Sequence, residues 1–127
     1  MARGLPGCRS PLLLACGDRR SLFCLGDSLV AAGFSVIEVV STDEALSHLE
    51  SRSDVHLVAA DIDMPGCCSG LALARFLSRR WPHIPALVLG WPVEPILSLP
   101  DTITFMPQPV TPAALVEQVG LTLHSHG

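Results

Sequence analysis

The side chains best suited to chemistry are two acids, Asp61 and Asp63, at the end of a strongly apolar stretch of the chain. Residues 55–62 show no alternation of apolar and polar side chains, which is typical of a central strand covered on both faces. A carboxylate at the end of such a strand is costly to desolvate and is normally retained where it is paired, hydrogen-bonded or metal-bound. Asp61 is therefore the centre of the candidate site, and the alternative is an aspartate that caps a helix or closes a loop.

Three other strand ends are expected to meet Asp61. Short apolar runs alternate with helical patterns along the chain, an arrangement typical of βαβ units and a parallel sheet. In an open parallel sheet, ligands gather beyond the carboxyl ends of the strands. The further strand ends at this edge are Cys16-Gly17-Asp18, Gly90-Trp91 and Gln108-Pro109.

The elements that position these residues follow from the hydrophobic periodicity. Strands are predicted over residues 12–16, 35–40, 55–62, 86–89 and 102–106, and helices over 19–32, from 41 onward, over 71–81 and from 112 onward. Ser41 and Glu44 form a capping box, and Thr111 is placed to cap the last helix before Pro112. Residues 91–100 contain prolines that would limit any helix there to a short fragment. The predicted fold class is α/β, with a doubly wound five-stranded parallel sheet.

Length and composition limit the classes of protein to consider. With 127 residues, 49% of them hydrophobic and 16% charged, the chain fits one globular domain. We assign the domain to residues 11–124, a flexible arm to 1–10 and a C-terminal tail to 125–127. A net charge of -4 without a clustered basic surface argues against nucleic-acid binding. The apolar run before Cys16 resembles a lipoprotein cleavage box but is too short for a signal peptide, so we expect a cytoplasmic protein without a membrane segment.

The cysteines raise the alternative of a metal or redox site. Their odd number, five, and irregular spacing do not form a disulfide framework, and the histidines fall at no zinc-binding spacing. Cys16, Cys67 and Cys68 are expected near Asp61, where small buried side chains are the favoured interpretation. A thiol-based sensor is the alternative that these cysteines leave open.

Residues 57–66, Leu-Val-Ala-Ala-Asp-Ile-Asp-Met-Pro-Gly, resemble the phosphoacceptor strand and loop of bacterial response-regulator receiver domains. The resemblance extends from Leu12 to Leu123 and includes the downstream Pro-Gln-Pro followed by a helix. It implies the flavodoxin-like receiver fold with strand order 2-1-3-4-5, here with a shortened or irregular fourth helix in the segment 91–100 and a fifth helix from 112 onward. It also implies that Asp61 accepts a phosphoryl group from a histidine kinase. Mg²⁺ is the implied cofactor, because the charges of two reacting anions must be offset.

The family's other pocket groups are missing at the matching positions. The acidic pair that holds Mg²⁺ falls on Cys16 and Gly17, which leaves Asp18 as the next acid. The hydroxyl position falls on Gly90 and the lysine position on Gln108, in a chain that contains no lysine. Phosphoryl transfer to the acceptor aspartate is therefore expected to be inefficient.

The resemblance also implies a weak magnesium site, a switch position and a cis peptide. The candidate ligands of Mg²⁺ are Asp18, Asp61 and Asp63. Phe105 falls at the position of the family's switching aromatic, where core packing is the favoured interpretation because Gly90 has no hydroxyl to draw it inward. The Gln108–Pro109 peptide bond is predicted to be cis.

Two functions fit this sequence. The first is a stand-alone atypical receiver domain of a two-component or phosphorelay pathway, which is a signalling protein and not an enzyme. The alternative is a phosphorylation-independent interaction module that has kept the fold and lost the chemistry. For both functions the expected partner is a histidine kinase or another signalling protein. The face formed by the fifth strand and the last helix is the candidate homodimer surface.

Overall fold

Strands and helices alternate along the part of the chain that the structure describes. The structure is a computed structural model, and it describes residues 11–51, 54–63, 66, 69–90 and 102–126. The strands are β1 (Leu12–Ala15), β2 (Val36–Val39), β3 (Leu57–Asp61), β4 (Ala86–Gly90) and β5 (Ile103–Pro107). The helices are α1 (Arg19–Ala31), α2 (Thr42–Ser51), α3 (Gly70–Arg80) and α4 (Pro112–His126). The predictions for the N-terminal arm, Cys67, Cys68 and the proline-rich segment 91–100 lie outside the described residues.

The five strands form one parallel sheet in the order β2-β1-β3-β4-β5, which confirms the predicted doubly wound fold. β3 lies at the centre, paired with β1 on one side and with β4 on the other. Residues 57–60 of this strand are buried. Helices α2 and α3 pack on one face of the sheet, and α1 and α4 pack on the other. The apolar run without alternation thus corresponds to a strand that is covered on both faces.

Successive side chains of β3 enter two different cores, because a strand points its side chains alternately to opposite faces. Val58 packs in the core beneath α2 and α3, and Ala59 packs in the core beneath α1 and α4. Ile62, directly after the strand, packs against the core beneath α2 and α3. The alternation therefore assigns Asp61 and Ile62 to opposite faces at the same edge of the sheet.

The central strand is shorter than the sequence predicts. Its pairing with β1 begins at the Leu12 and Leu57 partners, because β1 itself begins at Leu12. Val55 is buried but precedes the strand. β3 ends at Asp61, one residue before the predicted boundary. Asp61 is therefore the last residue of the central strand.

Side chains cap the predicted helix starts. Thr111 Oγ1 accepts a hydrogen bond from the Ala114 N–H at 3.1 Å, which confirms the predicted cap of α4. Ser41 Oγ accepts from the Glu44 N–H at 3.2 Å, and Glu44 Oε1 accepts from the Val40 N–H at 2.8 Å. α4 extends through residues 125 and 126 of the segment assigned to the tail. None of the described helices is long and apolar enough to cross a membrane.

Candidate functional site

Asp61 lies half-buried at the carboxyl end of β3, with Leu89 of β4 as its neighbour in register. Its Oδ1 accepts a hydrogen bond from the Asp63 N–H at 3.3 Å. Partial burial raises the pKa of Asp61 above its ordinary value, and the hydrogen bond from Asp63 opposes this change. The negative charges of Asp63 and Asp18 raise the pKa further. The site thus contains a half-buried carboxylate at the edge of the sheet, with other negative charges near it.

Asp18 serves as the N-cap of α1. Its Oδ1 accepts from the Arg20 N–H at 3.2 Å, and its Oδ2 accepts from the Ser21 hydroxyl at 2.9 Å. These bonds, that from Ser21 first, lower the pKa of this exposed carboxyl. The capping role was missed in the sequence, although an aspartate immediately before a helical pattern is a recognisable start signal.

The expected magnesium site is not assembled. Among the described residues, no three His, Cys, Asp or Glu side chains are grouped so that they could hold a metal ion. Within the described ranges, Asp18, Asp61 and Asp63 therefore do not form a ready-made group of three ligands. Each Asp18 oxygen accepts one hydrogen bond at the start of α1, which directs this side chain to the helix and leaves a further lone pair on each oxygen. Binding of Mg²⁺ by these three carboxylates stays a prediction.

Cys16, at the position of one missing acid, is a buried thiol with 1% of its surface exposed. Burial, followed by the negative charges of Asp61, Asp18 and Glu38, raises the pKa of Cys16 to about 12. The thiol therefore stays protonated at neutral pH and is a poor nucleophile. This agrees with the interpretation of Cys16 as a small buried side chain. Gly17, at the second acidic position, is exposed and has no side chain that could bind a ligand.

Gly90, at the position of the missing hydroxyl, lies beneath the side chain of Ile62. A β-carbon added to Gly90 would stand 2.5 Å from Ile62 Cγ2 and 2.9 Å from Ile62 Cβ. Real β-carbons do not approach so closely, so a larger residue at position 90 requires Ile62 to move. Ile62 is the site residue that the sequence analysis missed. The available signal was a branched apolar side chain next to Asp61 in a chain with glycine at position 90.

Gln108, at the position of the missing lysine, is bonded within its own loop. Its Oε1 accepts from the Val110 N–H at 2.8 Å, and its N–H donates to the Gly90 carbonyl at 3.0 Å. The Gln108–Pro109 peptide bond is cis, as predicted. The Gln108 side chain thus supports the loop after β5 and brings no positive charge to the acidic edge.

Phe105 lies in β5 with Val88 of β4 as its neighbour in register. The ring is partly buried and packs against the core beneath α2 and α3, the same core that Ile62 contacts. This position agrees with the core-packing interpretation of Phe105. Phe105 and Ile62 therefore belong to one apolar face next to the site.

Comparisons with known proteins give matches among solved structures. No family model matches the chain, and no curated protein matches its sequence. A response regulator receiver protein from Sinorhizobium medicae WSM419 is 26% identical, with a TM-score of 0.80, and the match covers 94% of this chain and 98% of that one. A receiver domain protein described as CheY-like, from Methanospirillum hungatei JF-1, is 20% identical with a TM-score of 0.78, over 93% and 96% of the two chains.

A third match extends over nearly the whole chain. The signal receiver domain of an HD domain-containing protein from Pseudomonas fluorescens Pf-5 is 20% identical, with a TM-score of 0.78, and the match covers 99% of this chain and 95% of that one. All three solved structures are receiver domains or proteins, as the resemblance of residues 57–66 predicts. The structural neighbours of this chain are response-regulator receiver domains, and the chain has their fold.

Proposed function

We propose that this chain is an atypical receiver domain of a two-component or phosphorelay pathway, in which Asp61 accepts a phosphoryl group slowly. The observation that supports this most directly is the position of Asp61 in a receiver fold. It is the last residue of the central strand and is only half-buried, so a donor can reach its carboxylate. The domain would then be a cytoplasmic substrate of a histidine kinase and not an enzyme itself.

The chemistry is a nucleophilic displacement at phosphorus. An Asp61 carboxylate oxygen forms a bond to phosphorus, the bond from phosphorus to the donor breaks, and the leaving group keeps the electron pair. Two anions approach each other in this reaction, so the rate depends on groups that offset their charge. Here the charges that act on the pKa of Asp61 are those of the acids Asp63 and Asp18. Because the chain has no lysine, transfer should be slow.

The second candidate, a phosphorylation-independent interaction module, is supported by how the pocket positions are used. Asp18 caps α1, Gln108 accepts a hydrogen bond in its own loop, and Ile62 covers Gly90. Each of these contacts stabilises the fold and uses a position from which a phosphoryl group would be bound. Under this proposal the domain binds a histidine kinase or another signalling protein without any change at Asp61.

Phosphorylation by a small donor separates the two candidates. The protein is incubated with acetyl phosphate and Mg²⁺, and intact-protein mass spectrometry follows the gain of one phosphoryl group as acetate leaves. We expect a minor, slowly growing adduct in the wild type and in Asp63→Asn, and none in Asp61→Asn. An adduct that survives in Asp61→Asn would place the acceptor elsewhere. No adduct in any of the proteins would contradict the first candidate and favour the interaction module.

A further inference from the structure

We infer that α1 is an interaction surface for a second copy of this chain, on which the two α1 helices pack antiparallel around their Phe23 side chains. The inference goes beyond the proposed function and does not depend on any reaction at Asp61. The surface lies on the helix after β1 and is therefore distinct from the face formed by the fifth strand and the last helix.

α1 carries two large hydrophobic side chains that the fold leaves uncovered. Phe23 is 68% exposed and Val30 is 55% exposed, whereas the leucines of this helix are buried. Gly26 lies one turn from each of them, and the Glu38 side chain of β2 stands where a side chain on Gly26 would be. Both exposed residues therefore lie on the flank of α1 toward the β2 edge of the sheet. A partner that covered this flank would remove on the order of 100 Å² of apolar surface per phenyl ring from water.

The charged residues around Phe23 form a self-complementary order. Arg20 precedes Phe23 by three residues, and Asp27 follows Cys24 by three residues. All four side chains are exposed, and their spacing of three and four residues places them on the outer face of one helix. Opposite charges thus stand at equal distances from the midpoint between Phe23 and Cys24.

This order fits a second α1 that runs in the opposite direction. When a two-fold axis passes through the midpoint, Arg20 of each copy faces Asp27 of the other, and two ion pairs flank the phenyl rings. Arg19 then faces Ser28, so no like charges oppose each other. Parallel helices in register would instead place Arg20 against Arg20 and Asp27 against Asp27. The charges therefore select the antiparallel arrangement.

The same pattern favours a second copy over an unrelated protein. In an interface with two-fold symmetry one patch must be complementary to itself, and α1 meets this condition with both its charges and its apolar centre. The patch consists of a few side chains of a single helix, so the dimer falls at the low end of interface size, under roughly 1,200 Å² of total buried surface. We therefore expect a weak dimer, with a dissociation constant on the order of 0.1 mM.

Sedimentation equilibrium of the full chain under reducing conditions tests the dimer, at concentrations from about tenfold below to about tenfold above the expected dissociation constant. We expect the mean mass of the wild type to rise toward that of two copies. Phe23→Ala removes the centre of the contact and should weaken association about tenfold or more. The matched control is Leu121→Ala, which removes the exposed leucine of α4 and should associate as the wild type does.

Two charge reversals test the pairing itself. Arg20→Glu and Asp27→Arg each place like charges opposite each other in a dimer of one variant, so each should stay monomeric alone. An equimolar mixture of the two variants restores an acid opposite a guanidinium at both positions and should associate as the wild type does. Circular dichroism shows that each variant is folded, and these exposed positions give the answer even if Phe23→Ala does not fold.

A wild type that remains monomeric at every concentration would overturn the inference. So would association that Phe23→Ala leaves unchanged or that Leu121→Ala abolishes, because the two copies would then meet at another face. A mixture of the charge variants that associates no more than its components would have the same consequence. None of these measurements contains a phosphodonor, so failure of Asp61 to react with acetyl phosphate is a separate result.

Discussion

Gly70, the first residue of α3, lies directly against the backbone of Asp61. A β-carbon on Gly70 would collide with the Asp61 carbonyl oxygen and stand 2.7 Å from its carbonyl carbon. The Gly70 N–H donates to the carbonyl of the next residue, Ile62. The contact joins two backbone segments, which cannot move apart without shifting the helix relative to the central strand. The end of β3 and the start of α3 are therefore mechanically coupled at the candidate site.

We expect Gly70→Ala to lower the free energy of unfolding by about 1–3 kcal/mol, the usual cost of overpacking a filled position. Alanine is otherwise favoured over glycine inside a helix by about 0.5–1 kcal/mol, so the sign of the change tests the contact. Urea denaturation measures it, with Gly120→Ala as the matched control in which the new β-carbon enters open space. The contact would be refuted if both variants were as stable as, or more stable than, the wild type.

The role of Asp18 as a helix cap predicts which substitutions it tolerates. Asp18→Asn keeps an oxygen that can accept from the Arg20 N–H and should melt close to the wild type, whereas Asp18→Ala should melt a few degrees lower. Asp27→Ala, on the exposed side of the same helix, is the control for changing an acid to alanine. A melting temperature for Asp18→Ala equal to that of Asp18→Asn would show that the cap does not stabilise α1.

The lowered pKa of Asp18 predicts how the stability of the wild type relative to Asp18→Asn depends on pH. A carboxyl whose pKa is lower in the folded than in the unfolded protein stabilises the fold at pH values above its ordinary pKa, which is 3.8. This contribution is lost as the pH falls through the lower, folded pKa. In strong acid the melting temperature of the wild type should therefore fall relative to that of Asp18→Asn. Melting curves recorded from neutral to strongly acidic pH would show this, and a difference independent of pH would contradict it.

Asp61 should show the opposite dependence, because partial burial raises its pKa. Asp61 holds its proton more tightly in the folded than in the unfolded protein. Its contribution to stability is therefore favourable at pH values below the ordinary pKa of 3.8 and is lost as the pH rises through the folded pKa. Asp61→Asn is therefore expected to be more stable than the wild type at neutral pH, with the advantage shrinking in acid.

Chemical denaturation across this pH range measures the effect at Asp61. Asp63→Asn is measured beside it. This variant keeps the N–H that bonds to Asp61 Oδ1 but removes a negative charge that raises the pKa of Asp61, so it should gain less stability at neutral pH than Asp61→Asn. An Asp61→Asn protein that is less stable than the wild type at neutral pH would show that the charged carboxylate is held by stronger interactions than the Asp63 hydrogen bond.

The thiol of Cys16 should be unreactive in the folded protein. A pKa of about 12 against the ordinary 9.0 corresponds to a roughly thousandfold smaller thiolate fraction at neutral pH, and burial adds to the effect. Two variants, one retaining Cys16 and the other the exposed Cys24 as the single cysteine, are treated with a thiol-specific disulfide reagent. Cys24 should react at once and Cys16 only on unfolding. Rapid labelling of native Cys16 would support the thiol-based sensor instead.

The fold could be predicted from the sequence because its signals are local. The apolar run of residues 55–62 without alternation indicated a strand covered on both faces, and Thr111 before Pro112 indicated where the last helix starts. These features depend on neighbours a few residues apart. The resemblance of residues 57–66 to the strand and loop of receiver domains and the cis peptide before Pro109 could likewise be recognised from short segments.

The state of the candidate site could not be predicted in the same way. Asp18 was a plausible metal ligand from its place near the first strand end, but the N–H of Arg20 and the hydroxyl of Ser21 compete for its oxygens. The cap is a local interaction with residues two and three positions away, whereas the distance from Asp18 to Asp61 and Asp63 depends on how separate elements pack.

Residue types alone thus established an acid at the end of a buried central strand and the absence of lysine, since both are properties of a linear pattern. Ile62 and Gly90 are separated in the chain by α3 and most of β4. They are in contact only because the parallel register brings the ends of β3 and β4 together. Whether two such side chains touch depends on the relative position of whole helices and strands to within fractions of an ångström. The sequence therefore identified Asp61, and the folded structure showed which side chains surround it.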